Sequence, residues 1–313
     1  MNEPSSENKV ILITRKTRLD ELITRYNTMD QARFVIESQG ADFTDYIAEH
    51  ERYYSEKLAA ERMLKELCRV QVIDRDHLAN FIFGKDDTVV TLGQDGLVAN
   101  TLKYLSGQKL IGVNPDPARW DGILLPFCVG DLPTITKEVI SNKRSIKNVS
   151  MAKATLNDGQ TLHAVNDLFI GPQTHFSARY EIVVGKYSEN HSSSGIIVST
   201  GFGSTGWLAS LMKGATKLTS ALTQRNLDIK RSKEIPWDAN YLYYTVREPF
   251  PSNVTQTDLV FGKIEQNTQF TVRSQIAERG VIFSDGIESD FLKFNAGAEV
   301  NISISEKVGR LVI

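Results

Sequence analysis

A single carboxylate stands between glycines at the end of an apolar run. Thr88-Val89-Val90-Thr91-Leu92 stops at Gly93-Gln94-Asp95-Gly96, and an amphipathic stretch, Leu97 to Leu105, begins at once. A strand that delivers a glycine turn to a helix N-terminus exposes backbone N–H groups and the positive end of a helix dipole, which suits phosphate. The same turn holds one acid, Asp95, where it can touch the hydroxyl of a bound molecule.

Three more clusters carry polar groups at positions where a plain strand or helix would not. Asn166-Asp167 interrupts the strand-like run from Ala164 to Ile170, either as an Asx turn or as an amide and a carboxylate set out for a ligand. Gly201-Phe202-Gly203-Ser204-Thr205-Gly206 follows the strand Gly195 to Thr200 and precedes a helix, which in letters is a dinucleotide fingerprint. Two features oppose a Rossmann dehydrogenase. The helix runs into polar Thr223-Gln224-Arg225-Asn226 rather than a second buried strand, and no strand–helix alternation follows. Finally, Phe283-Ser284-Asp285-Gly286 puts an Asp-Gly pair after a strand, either as a hairpin turn or as a second acid for a site.

Several chemistries are excluded. The three Gly-Lys pairs precede Asp86, Tyr187 and Ile264, so there is no Walker A loop. His50, His77, His163, His175 and His191 show no metal-ligand spacing, and no Gly-x-Ser-x-Gly elbow occurs. With 36 Lys+Arg against 38 Asp+Glu the net charge is −2, and no basic run offers an arm for nucleic acid or anionic lipid. Cys68 and Cys128 form neither a disulfide framework nor a thiolate metal site, which fits a reduced, cytoplasmic setting. The polar stretch Met1 to Asn8 and the lack of any apolar run near ~20 residues disfavour secretion and membrane insertion.

The elements that would position these residues fall into two halves. Lys9 to Thr14 is a buried first strand, and its end, Arg15-Lys16-Thr17-Arg18, is either phosphate-facing or a solvated loop. Helical spacing over 20–38 and 43–69 includes Tyr46, His50, Tyr53, Tyr54 and Leu64, an aromatic stripe that reads as helix packing. A strand Val70 to Ile73, a helix from Asp74 to Phe83, the strand Thr88 to Leu92, the helix Leu97 to Leu105 and the strand Leu110 to Val113 complete an alternation. That pattern predicts an α/β domain over 1–145 with a doubly wound parallel sheet, whose ligands bind beyond the carboxyl ends of the strands. Asp95 and the loop Asn114 to Gly122 both lie at such ends.

After residue 145 the texture changes. A hairpin, Ser150 to Leu156 and Thr161 to Val165 about an Asp-Gly turn, is followed by Ala178 to Val184, Gly195 to Thr200, Tyr241 to Val246, Leu259 to Ile264, Phe270 to Ser274, Val281 to Phe283, Glu299 to Ile304 and Leu311 to Ile313. One helix, Trp207 to Leu222, interrupts them, and Thr223 to Lys233 reads as a surface excursion. Residues 146–313 are therefore expected to form a mainly antiparallel β domain.

Taken in order, Gly93-Gln94-Asp95-Gly96, Asn166-Asp167, Gly203-Ser204-Thr205 and Asp285-Gly286 resemble the motifs of the NAD kinases, which belong to the superfamily that includes diacylglycerol kinases and 6-phosphofructokinases. Lys16-Thr17-Arg18, Gly112 to Pro117 with Arg119 and Gly122, Trp207 and Arg247-Glu248-Pro249 look like the mitochondrial-type branch. The resemblance implies transfer of the γ-phosphoryl group of ATP to the adenosine ribose 2′-hydroxyl of NAD. It makes Asp95 the acceptor of the hydroxyl proton, and it has the Gly93, Gln94 and Gly96 backbone with Mg²⁺ hold the triphosphate. Asn166 and Asp167 would orient the ribose, the segment Thr200, Gly203, Ser204, Thr205 and Trp207 would line the adenine side, and Asn114 and Asp285 would complete the nucleotide contacts. Phosphoryl transfer is largely positioning plus electrostatics and needs one acid near the nucleophile, which agrees with the residues themselves. The implied partners are NAD and ATP, with no nucleic acid and no membrane, in a homo-oligomer (homodimer or tetramer).

Two departures from the family pattern set further expectations. Gln94 stands at the second glycine, which would cost on the order of 1 kcal/mol if φ is positive there. Leu97 stands where the family usually has threonine, removing a hydroxyl from the donor loop. The alternative is a kinase-like protein that binds nucleotide without turning it over, or phosphorylates another hydroxyl.

Overall fold

Val10 to Ile13, Val89, Val90 and Leu92, and Leu110, Ile111 and Val113 are buried on both sides of their strands, which is why these runs show no polar alternation. The computed structural model describes residues 8–225 and 235–313. Residues 1–7 of the polar N-terminus lie outside this range, as does the expected surface excursion from residue 226 to 233. Two compact units form, one from residues up to 147 together with 310–313, the other from 148–309.

In the first unit the order is β1 (Lys9–Thr14), α1 (Arg18–Tyr26), α2 (Met29–Ser38), α3 (Thr44–Lys65), β2 (Arg69–Asp74), β3 (Thr88–Leu92), α4 (Asp95–Leu102), β4 (Lys109–Asn114), β5 (Phe127–Cys128) and α5 (Leu132–Ile140). The strands pair in parallel in the spatial order β2-β1-β3-β4, with β5 beside the end of β4. In such an order the chain leaves β1 to one side and β3 returns on the other, so a crevice opens at the carboxyl ends of β1 and β3. One sheet face packs Val10, Leu12, Val90, Leu92, Ile111 and Val113 against Tyr53, Ala60 and Leu64 of α3 and Leu132, Ile135 and Val139 of α5. Each of these valine, leucine and isoleucine side chains contributes about 1.5–3 kcal/mol on burial.

The single helix expected over 20–38 is two. Asn27 ends α1 in the left-handed region (φ 67) and the Thr28 hydroxyl caps α2 by accepting from Gln31 N–H, so an Asn-Thr pair performs both a stop and a start. The helix expected from Asp74 to Phe83 is only a 3₁₀ turn over Arg75–Asn80. Leu78 is its one buried residue, too little apolar face to carry a longer helix.

In the second unit the strands are β6 (Ile146–Leu156), β7 (Thr161–Ala164), β8 (Asp167–Pro172), β9 (Ala178–Val184), β10 (Tyr187–Ser193) and β11 (Ile196–Ser199). Then come α6 (Trp207–Thr223), β12 (Tyr241–Val246), β13 (Phe261–Glu265), β14 (Phe270–Ser274), β15 (Gly280–Ser284), β16 (Ile287–Lys293) and β17 (Glu299–Val312). One sheet runs β10-β9-β14-β17 with β6 alongside β17 and β7 beside β6; the other runs β13-β12-β11-β8-β15-β16, antiparallel throughout. Leu168, Ile170, Ile196, Val198 and Ile282 of the second sheet meet Tyr180, Ile182, Phe270 and Val272 of the first in a shared core. The outer face of the six-stranded sheet, Phe169, Ile197 and Val281, lies under Trp207 and Leu211 of α6. The two strands expected after residue 299 are one: β17 starts beside β14, and its Arg310 and Leu311 pair in parallel with Lys109 and Leu110. Among the described residues no helix is long and apolar enough to cross a membrane.

Candidate functional site

All five residues of β3 are buried, and the Gly93 N–H donates to Val113 O (3.2 Å), which ties the turn to the end of β4. Gln94 is the N-cap of α4 with φ −121 and ψ 165, extended backbone that any residue adopts. The strain expected from a non-glycine at 94 therefore does not arise. The helix starts at Asp95, two residues earlier than its apolar pattern begins, so Asp95 and Gly96 lie in its first turn, where N–H groups lack intrahelical partners.

Leu97 is 4% exposed, and its Cδ2 lies 2.9 Å from where a Cβ on Gly93 would stand. Leu97 therefore packs against the turn at Gly93. A Cβ on Gly112 would meet Leu124 O at 2.1 Å, so only glycine lets the chain pass that close to β4. This passage brings the Leu124 N–H to Asp95 Oδ1 (2.9 Å), which fixes one carboxylate oxygen of a half-buried acid. Asn114 is buried with its carboxamide occupied: Nδ2 donates to Trp120 O (2.8 Å) and Oδ1 accepts from Asp116 N–H (3.0 Å). It shapes the loop after β4.

In the second unit the anchor is Asp285. With Gly286 it forms the two-residue turn between β15 and β16, both at positive φ (56 and 72). Its carboxylate accepts from three successive N–H groups, Val165 (3.0 Å), Asn166 (2.6 Å) and Asp167 (3.2 Å), and its own N–H donates to Asp167 O (3.0 Å). Three consecutive donors aimed at one anion form a nest.

Thr200 clamps the same stretch from the other side. Its hydroxyl donates to Val165 O (2.5 Å) and accepts from Gly203 N–H (3.0 Å), while its N–H donates to Asn166 O (3.0 Å). A Cβ on Gly203 would lie 2.2 Å from Asn166 O, so this glycine is required by the contact. Ser204 Oγ donates to Gly201 O (2.7 Å) within the 3₁₀ turn Phe202–Thr205, whereas Thr205 and Gly206 are exposed. Trp207 stacks on Phe169 (5.8 Å, 13°), and the Arg247 guanidinium lies 5.5 Å from the Trp207 ring.

The Asn166-Asp167 backbone is thus fully held, which leaves the side chains to act. Asp167 Oδ1 is buried without a partner, and burial, then the charge of Asp285, push its carboxyl up to about 7, against the pull of a Ser199 hydrogen bond. A buried acceptor that the protein leaves unsatisfied suits a ligand hydroxyl.

The glycine letters of 201–206 do not build a Rossmann unit. β11, the strand before them, is flanked by β8 and β12, both antiparallel, and among the described residues it has no parallel partner.

No protein-family model and no curated protein sequence matches the chain. Solved structures do. Yeast NADH kinase, in its complex with NADH, aligns over 98% of this chain and 84% of that chain with a TM-score of 0.58 at 14% identity. An NAD kinase from Archaeoglobus fulgidus, in complex with ATP, aligns over 97% of this chain and 93% of that chain with a TM-score of 0.55 at 15% identity. The fold is that of the NAD kinases.

Within the NAD kinase fold this chain places contacts that sequence reasoning missed. Tyr53, read as packing, donates from its hydroxyl to Leu92 O (3.1 Å) and accepts from Arg15 N–H (2.9 Å), so it joins the ends of β1 and β3. Asp45 receives Arg119 through two nitrogens (3.0 and 2.6 Å) and Arg18 through a third (2.7 Å); Arg119 first, then Arg18, holds its carboxyl well below the usual range. Neither link has a local signal, because each joins residues 27 to 74 positions apart.

The raised Asp167 carboxyl has a measurable consequence for this NAD kinase fold. It keeps a proton in the native state that the unfolded chain releases near its ordinary value of 3.8. Between about pH 4 and 7 the native state therefore binds more protons, and this residue's contribution to stability falls as pH rises. Asp167→Asn removes that contribution, so urea unfolding of the variant and the wild type should give a stability difference that shifts in the variant's favour from pH 4.5 to 7.5. A difference independent of pH would mean that the carboxyl ionises as in water.

Proposed function

We propose that this protein transfers the γ-phosphoryl group of ATP to the 2′-hydroxyl of the adenosine ribose of NAD, giving NADP and ADP. The observation that carries the reading is Asp95: a half-buried acid in the first turn of α4, one oxygen fixed by Leu124 N–H, at the sheet end where a doubly wound fold binds its ligand. Asp95 accepts the proton of the 2′-hydroxyl as its oxygen bonds to the γ-phosphorus, and the bond from that phosphorus to the β,γ-bridging oxygen breaks with its electron pair leaving on ADP.

The Gly93, Gln94 and Gly96 backbone and the α4 dipole favour the triphosphate. A magnesium ion carried by the donor would neutralise phosphate charge beside the turn, while the Asp95 carboxylate oxygen that Leu124 does not hold is the one left to take the hydroxyl proton. Asn166 and the unpartnered Asp167 Oδ1 orient the ribose; Thr205, Gly206 and Trp207 offer an exposed edge and an aromatic ring to the base.

The test is incubation of the purified protein with Mg-ATP and NAD or NADH, in parallel with other nucleotides and polyphosphate as donors, followed by mass analysis. ATP-dependent NADP without redox change is the expected result. Calorimetric binding of NAD with no product from any donor would make the protein a nucleotide-binding relative of the kinases.

A further inference from the structure

Arg15 leaves β1 at the carboxyl end of the parallel sheet, beside β3, the strand that leads into Gly93. Tyr53 Oη accepts its N–H and donates to Leu92 O, and burial pushes that phenol up to about 12, so the clasp keeps its proton at neutral pH. From this anchored backbone the Arg15 side chain runs beneath the glycine turn. Its Cδ and Nε lie 3.5 and 3.6 Å from where a Cβ on Gly93 would stand, and the residue is only 9% exposed.

The cations of this strand end have different fates. Lys16 reaches outward to Asp76 (2.9 Å), both groups exposed. Arg18 takes Glu49 Oε2 (2.5 Å) and Asp45 (2.7 Å). Arg15 alone stays under the turn, with Nη2 on Glu49 Oε1 (3.0 Å) and Nη1 on Lys16 O (2.9 Å), while its buried Nε–H has no partner. Arg15, Glu49, Arg18, Asp45, Arg119 and Asp116 thus form a chain of alternating charges, neutral in sum, with its positive end at Gly93.

A cation buried with an unsatisfied donor beside the positive end of α4 opposes stability in the free protein. The arrangement becomes favourable when an anion lies over the turn, because a charge in a poorly solvated site acts strongly on it. We propose that Arg15 is the buried cation of a polyphosphate site at the Gly93–Gly96 turn, supplying from below the charge that the turn itself lacks. That the polyphosphate belongs to a phosphoryl donor rests on the kinase reading; the anion site itself does not.

The experiment is calorimetry of inorganic tripolyphosphate binding to the whole protein, at two salt concentrations, for the wild type, Arg15→Met, Arg15→Lys and Glu49→Gln, with thermal unfolding of each. Arg15→Met should weaken binding tenfold or more and reduce its salt dependence, with a loss in the unfolding midpoint because the buried Glu49 Oε1 is left without its counter-charge. Arg15→Lys should recover part of the loss. Glu49→Gln, which removes the counter-charge, should tighten binding several-fold. Absence of tripolyphosphate binding by the wild type, equal affinity in Arg15→Met, or parallel weakening in Arg15→Met and Glu49→Gln would each overturn the proposal, the last because a mere buttress fails whichever partner is removed. Should Arg15→Met not fold, the opposite shifts expected for Arg15→Lys and Glu49→Gln decide. Arg15-dependent tripolyphosphate binding without any NADP formation would leave this inference standing and remove the kinase reading.

Discussion

Replacing Asp95 by asparagine should lower kcat by roughly 10²–10⁴ while leaving the unfolding midpoint unchanged and NAD binding within a few-fold. The substitution is nearly isosteric, and an amide oxygen still accepts the Leu124 N–H that now bonds Asp95 Oδ1. The loop after β4 therefore stays in place. What the variant loses is the ability to take a proton, and that matters only as the hydroxyl attacks. The effect should fall on kcat, read by NADP formation under saturating ATP and NAD, and not on KM. An unchanged kcat would remove Asp95 from the mechanism and move attention to Asp167, whose buried Oδ1 has no partner.

The strand–turn–helix around Asp95 was legible because its signals are local. A β-branched run, a glycine turn and an apolar helix face follow one another within about 20 residues, and each has a short-range cause. Other local signals went unread. Leu132, Ile135, Thr136 and Val139 are the buried face of α5 at i, i+3, i+4 and i+7, a plain helical period. β10, in contrast, has little to read: Tyr-Ser-Glu-Asn-His-Ser-Ser is polar throughout, and it is a strand because the Gly185-Lys186 turn folds it back onto β9 as an edge.

The candidate site divides in the same way. Asp285-Gly286 is readable as a turn, and it is one. That the same carboxylate reaches the N–H groups of 165–167, some 120 residues earlier in the chain, is set by β15 lying beside β8, which no spacing reveals. Arg15 is likewise visible as a charge, yet its place under Gly93 follows from the pairing of β1 with β3.

Removing the Asp285 carboxylate should destabilise the second unit more than the loss of an ordinary turn residue would. Hydrogen bonds to a charged group contribute about 1.5–3 kcal/mol each, and three that share one acceptor are not additive, so Asp285→Asn should destabilise by roughly 2–4 kcal/mol in urea unfolding. Asparagine is the informative probe because it tolerates the left-handed backbone found at this position (φ 56) and keeps the turn. It presents one carbonyl oxygen, and an NH₂ group stands where the second acceptor was. Asp285→Gly keeps the backbone freedom and deletes the acceptor outright. If the residue served only its turn, both variants would unfold like the wild type. If it holds the nest, both lose stability, glycine more than asparagine, and NAD affinity falls by at least tenfold as Asn166 and Asp167 lose their fixed backbone. Donor affinity is the internal control: the turn that would hold the triphosphate lies in the other unit, so tripolyphosphate binding should stay within a few-fold of wild type in both variants.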